Sequence, residues 1–154
     1  MKRTLISTFA LVACFIGIQA QTQVIAHRGF WKTEGSAQNS IMALEKAAEA
    51  QLYGSEFDVL MTADGKVVVN HDSSIEGMVI AETPYKKLKN IRIKNGEKLP
   101  TLKNYLKKGK KLDIQLILEA KPLPTKEMED EAIAKMVKMV KKMGLEKQVE
   151  YISF

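Results

Sequence analysis

The chain reads as an α/β protein built on a mainly parallel sheet, and three observations predict this. Short, β-branched apolar runs alternate with longer segments whose apolar residues recur at helical spacing. Histidines, acids and basic residues gather at the carboxyl ends of the strand-like runs, where parallel α/β folds form their ligand crevice. The length, 154 residues, is a prior for a single domain.

The first twenty residues stand apart from that pattern. Lys2 and Arg3 precede the apolar run "TLISTFALVACFIGI", and "IQA" ends it on a small residue, the layout of a secretory signal peptide cleaved after Ala20. The run is shorter than the roughly 20 residues of a membrane-spanning helix. A rival layout exists: "LVAC" at 11–14 looks like a bacterial lipoprotein box, which would lipidate Cys14. The apolar core continues beyond Cys14, which favours the signal peptide. Both layouts imply an exported protein, periplasmic or secreted, whose domain occupies 21–154. Cys14 is the single cysteine, which excludes a disulfide framework and a thiolate metal site.

Within the domain, "QVIAH" is a short buried strand. "NSIMALEKAAEAQL" follows with Ile41, Leu44, Ala47, Ala48 and Leu52 on one helical face behind an Asn/Ser cap. "YGSEFDVLM" is a second strand, "ADGK" a turn and "VVVNHD" a third strand. Asp64-Gly65 signals a hairpin. An antiparallel pair centred there sets Asp58 opposite His71, while a parallel return over about eight extended residues also fits. The stretch 73–98 is irregular, with Thr83-Pro84 opening one short helix. "LPTLKNYLKKG" is a helix with Pro100 near its start, and "DIQLILEAK" a fourth strand. A long helix over 125–144 is capped by Thr125, acidic at its start, basic at its end and closed by Gly144. "QVEYISF" begins a fifth strand.

Charge excludes little and favours nothing exotic. Without Lys2 and Arg3, the 24 basic residues become 22 against 18 acidic ones, a surplus of +4. The surplus lies in "YKKLK", "LKKGKKL" and "MVKKMG", interleaved with apolar residues and without aromatic partners. That pattern describes solvated helix faces rather than a nucleic-acid surface.

The chemistry lies at the strand ends. His27, Arg28 and Gly29 close the first strand. Glu56 and Asp58 sit two apart on the second and so share a face. His71 and Asp72 close the third, and Glu119 and Lys121 close the fourth. Three carboxylates from two strands suit a hard divalent cation, Ca2+ or Mg2+; the alternative for Glu56 and Asp58 alone is a solvent-facing edge. His27 and His71, the only histidines, are placed as general acid and base. Arg28 and Lys121 suit a phosphate, although Lys121 also fits as an ion-pair partner of Glu119. Together these residues describe a metal-assisted site for a phosphate ester.

The motifs "AHRG", "QNS", "GSEFDV", "TADG", "VVVNHD", "LPTL" and "LEAK" stand in an order that resembles the glycerophosphodiester phosphodiesterase family across 24–154. The resemblance implies a TIM-type (βα)8 barrel that hydrolyses a glycerophosphodiester to glycerol 3-phosphate and an alcohol. It implies catalytic roles for His27 and His71 and one divalent cation, Ca2+ or Mg2+, on Glu56, Asp58 and Glu119. It also implies phosphate contacts from Arg28 and Lys121. Two departures stand out. Gln38 replaces the family's usual glutamate, and the chain stops near its fifth strand where such a barrel has eight and about 250 residues. A truncated barrel would expose an open edge and invite a second copy or a completing chain. The alternative function is therefore an inactive remnant that binds phosphate esters or a partner without turnover.

Overall fold

The computed structural model describes residues 22–153. The segment read as a signal peptide, with Cys14, lies outside them. In chain order the elements are β1 (Ile25–Ala26), α1 (Ile41–Glu49), β2 (Gly54–Met61), β3 (Val67–Val69), β4 (Ser74–Ile75), β5 (Met78–Val79), a 3-10 turn (Ile80–Glu82), α2 (Tyr85–Leu88), α3 (Leu102–Leu112), β6 (Gln115–Ala120), α4 (Lys126–Met143) and β7 (Val149–Ser153). Strands β1, β2, β6 and β7 lie side by side in that order, every pair parallel. They are four consecutive staves, each joined to the next through helix, as in part of a βα barrel.

The alternation of side chains along β2 and β6 divides the protein in two. Phe57 and Val59 of β2, with Leu116 and Leu118 of β6, face the helices and join the main core. There they meet Leu44 and Ala47 of α1, Leu102, Tyr105 and Leu106 of α3, and Met136 and Val140 of α4. Phe57 is fully buried and stacks on Tyr105, ring centroids 4.3 Å apart. Burying one such ring stabilises the fold by about 1.5–3 kcal/mol. The opposite face of the same strands carries Glu56, Asp58, Ile117 and Glu119, all buried, so both faces of β2 are covered.

Helix ends follow side-chain chemistry. Ser40, Thr101 and Thr125 each accept a backbone N–H from three residues on, capping α1, α3 and α4. Gly144 closes α4 in the left-handed conformation, after Lys141 and Lys142. Helix α3 differs from its sequence pattern. It starts after Pro100 rather than around it, and it continues through Gly109 to Leu112. Gly109 is no terminator: a Cβ there would lie 2.7 Å from the methyls of Leu116, so glycine lets α3 press onto β6.

The third strand is not a stave. β3 pairs antiparallel with the far end of β2 (Val59 with Val69, Met61 with Val67), forming a hairpin arm that runs back along β2. The register also differs by one from a turn centred on Asp64-Gly65. Ala63, Asp64 and Gly65 form a three-residue loop with Gly65 left-handed (φ 75°), closed by the Gly65 N–H to the Thr62 carbonyl. Asp58 therefore stands opposite Asn70, whose N–H donates to the Asp58 carbonyl at 3.0 Å, and not opposite His71. The arm has its own small core of Leu60, Val68, Ile80, Leu88, Ile91 and Leu99. The irregular stretch contains the expected α2 behind Pro84 and the β4–β5 hairpin, whose turn residues Glu76 and Gly77 both have positive φ.

Candidate active site

Strands β2 and β6 bring their acids together by register. Asp58 is the direct partner of Glu119, and Glu56 lies two residues back on the same face. One oxygen from each of Glu56, Asp58 and Glu119 lies within 4.8 Å of the other two. All three are buried, at 5%, 0% and 6% exposure. Neither Glu56 Oε1 nor Asp58 Oδ1 accepts a hydrogen bond. Buried carboxylate oxygens that accept no hydrogen bond are expensive, and oxygens converging on one point are what a hard divalent cation takes. The residues present thus fit a metal.

Their environment is already strained by charge. Burial pushes the Glu56 carboxyl up to about 7, reinforced by the charges of Asp58 and Glu119 and opposed by the Arg28 N–H, which donates to Oε2 at 2.7 Å. Two cations offset the acids. Lys121 donates to Glu119 Oε1 at 2.7 Å and stands 3.6 Å from Asp58 Oδ1. Burial pulls its ammonium down, but the bond to Glu119 and the charge of Asp58 outweigh this and leave it raised. Arg28 sets Nε 3.8 Å from Asp58 Oδ2 and donates Nη1 to Gln38 Oε1 at 2.9 Å.

The loop after β1 explains the "HRG" sequence. Arg28 is left-handed (φ 59°), which turns its N–H onto Glu56 and its carbonyl onto the Asn39 N–H. Gly29 (φ 78°) approaches α1 so closely that a Cβ would sit 2.6 Å from the Ala43 Cβ. His27 lies at the same end, Nε2 3.9 Å from Glu56 Oε2, with 69% of its side chain exposed. His71, delivered by the hairpin arm, bonds through Nδ1 to Asp72 Oδ1 at 2.7 Å. A cleft of about 830 Å³ borders this site, and Arg28, Gln38, Asn39, Asn70, His71 and Asp72 are among its walls.

Three contributors were not read as site residues from the sequence. Asn39 looks like part of a helix cap, yet Ser40 is the N-cap of α1 while the Asn39 side chain binds Asp58. The "QNS" run holds one polar residue more than a cap needs, and that was the available signal. Asp72 orients His71. Glu97 receives the N–H groups of Ile41 and Met42 at the start of α1, a contact from a distant loop that no local pattern announces.

The model of the glycerophosphoryl diester phosphodiesterase family matches residues 27–154. The chain belongs to that family. A glycerophosphodiester phosphodiesterase from Parabacteroides distasonis superposes with a TM-score of 0.84 at 56% identity, over 86% of this chain and 56% of that one. A phosphodiesterase from Oleispira antarctica, solved with its product sn-glycerol-3-phosphate, gives a TM-score of 0.75 at 27% identity, over 86% and 57%. A glycerophosphodiester phosphodiesterase from Caldanaerobacter subterraneus is 34% identical over 94 residues, 53% of this chain and 38% of its own. The chain thus spans about half the length of the solved structures it matches, and its fold is the corresponding part of their TIM-type barrel.

Proposed function

We propose that the chain carries the metal-assisted site of an exported phosphoric diester hydrolase that cleaves glycerophosphodiesters to glycerol 3-phosphate and an alcohol. One observation carries the reading: three buried carboxylates within 4.8 Å of one another, two with an oxygen that accepts no hydrogen bond, beside an arginine and a lysine. Family membership and the relatives' named activity support it. Export rests on the sequence of the first twenty residues alone.

Glu56, Asp58 and Glu119 would hold the cation, Ca2+ or Mg2+, which supplies Lewis-acid polarisation of a phosphoryl oxygen when bound. The remaining work belongs to the chain. Arg28 presents a planar fork of donors suited to a phosphate, and Gln38, being neutral, orients that fork without consuming its charge. Lys121 adds a second positive charge beside Glu119. Asp72 accepts from His71 Nδ1, so the neutral ring carries its lone pair on Nε2. That tautomer accepts a proton from the attacking oxygen, whether water or the glycerol hydroxyl of the substrate. His27 then serves to protonate the leaving alkoxide.

The test is release of glycerol 3-phosphate from glycerophosphocholine, followed by a coupled dehydrogenase assay. Expected are turnover with Ca2+ or Mg2+, its loss with chelator, and its loss in His27→Ala and His71→Ala. Turnover that persists in chelator overturns the metal reading, and full turnover by either alanine variant removes that histidine from the mechanism. Stoichiometric binding of glycerol 3-phosphate by calorimetry without any turnover would favour the phosphate-binding remnant instead.

A further inference from the structure

We propose that Asn39 is a positioning residue whose carboxamide fixes the Asp58 carboxylate for cation binding, through a hydrogen-bonded circuit that also sets Glu56. The inference rests on the cation reading of the acidic cluster.

Asn39 is 3% exposed and holds a left-handed backbone (φ 61°). That conformation is unfavourable for most residues and best tolerated, after glycine, by asparagine and aspartate. Helix capping does not account for it. Ser40 already accepts the Ala43 N–H at 2.9 Å and the Ala37 N–H at 3.3 Å.

What the conformation achieves is a two-point grip on one residue. The Asn39 Oδ1 accepts the Asp58 backbone N–H at 3.0 Å, and its Nδ2 donates to Asp58 Oδ2 at 2.8 Å. The first contact decides the amide's orientation, because a backbone N–H can face only the oxygen. The NH2 group is therefore compelled to face the carboxylate. Asp58 is left with Oδ2 engaged and Oδ1 accepting no hydrogen bond. An aspartate has one side-chain rotation that swings its carboxylate away from a neighbouring acid; this grip prevents it.

The grip continues to the other acid on β2. The Asn39 N–H donates to the Arg28 carbonyl at 3.0 Å, and the Arg28 N–H donates to Glu56 Oε2 at 2.7 Å. Asp58, Asn39, Arg28 and Glu56 thus form one circuit, two members on a rigid strand and two on left-handed loop residues. Each acid has one oxygen tied by the circuit and one oxygen accepting no hydrogen bond. Two buried carboxylates that repel each other are held in a converging arrangement before any cation arrives. Groups that orient metal ligands from outside typically change affinity 10- to 100-fold when removed.

The test uses Asn39→Gly, which removes the carboxamide and tolerates the left-handed backbone. Ca2+ and Mg2+ are each titrated alone into the wild-type chain and the variant by calorimetry, and the cation-free melts are compared. Expected are cooperative melting of both proteins and cation affinity about ten-fold or more weaker in the variant. Amide hydrogen exchange at Asp58 is expected to rise with loss of its acceptor. Equal affinity in the two proteins overturns the positioning role while leaving the cation reading intact. Loss of cooperative melting in the variant marks Asn39 as a residue that merely holds the fold, and also overturns it. A wild-type chain that binds neither cation overturns the cation reading, and the proposal with it.

Discussion

Replacing Glu56 by glutamine should make the cation-free protein more stable at pH 8 and less able to gain from a cation. The Glu56 carboxyl titrates at about 7 instead of 4.5, mainly because it is buried. Between those values the folded chain keeps a proton that the unfolded chain has released, so stability falls as pH rises from about 4.5 to about 7 and levels off above. At about 1.4 kcal/mol per pH unit, the ionised group opposes folding by an order of 3 kcal/mol at pH 8. Glutamine keeps an oxygen for the Arg28 N–H and carries no charge, so Glu56→Gln should recover much of that amount. With a cation at a hundred times its dissociation constant the difference nearly closes, since the wild type gains about 2.7 kcal/mol by mass action and the variant little. Urea denaturation at pH 5.5 and 8, in chelator and in Ca2+, reads all four states. Wild-type stability in chelator that is flat or rising over this range would refute the argument, as would a variant destabilised at pH 8.

Three further outcomes follow from named contacts. Gly29→Ala should destabilise the chain by about 1–3 kcal/mol, because the added methyl meets the Ala43 Cβ at 2.6 Å and the backbone is left-handed; thermal melting checks it. Arg28→Lys loses the fork that binds Gln38 and should raise KM for the diester about ten-fold while cation affinity by calorimetry changes little. Asp72→Asn should lower kcat about ten-fold without moving KM, a modest loss because 79% of the Asp72 side chain is exposed and water can substitute for it.

The alternation of strands and helices was legible because β2 and β6 carry clustered large and β-branched apolar residues between turn signals, and because Ser40, Thr101 and Thr125 mark helix starts locally. The convergence of Glu56, Asp58 and Glu119 was legible for a similar reason: two residues apart on a strand means one face, and parallel staves align their ends. The hairpin register was not. Asp64-Gly65 suits a two-residue loop as well as a three-residue one; in the observed loop Thr62 and Asp64 hold the turn through Lys66 and Tyr85 N–H groups, and Val68 joins the arm's apolar cluster. The extension of α3 from Gly109 to Leu112 was not legible, because a helix-ending glycine and a glycine under a close-packed strand look alike in sequence. Asn39 was hidden by its neighbour, since a polar pair before a helix is explained by capping until tertiary contacts show that one member is elsewhere engaged.

The hairpin arm has a bearing on how this site could change. His71 reaches the cleft from a doubled-back peninsula with its own apolar anchor, whereas the acids stand on the staves themselves. Shortening the 63–65 loop by one residue would slide the returning strand and turn its side chains over, carrying His71 to a different face while leaving the carboxylate cage untouched. The proposed cation ligands and the proposed base His71 are therefore mounted on separable pieces of backbone, so a lineage could re-aim the second and still retain the first.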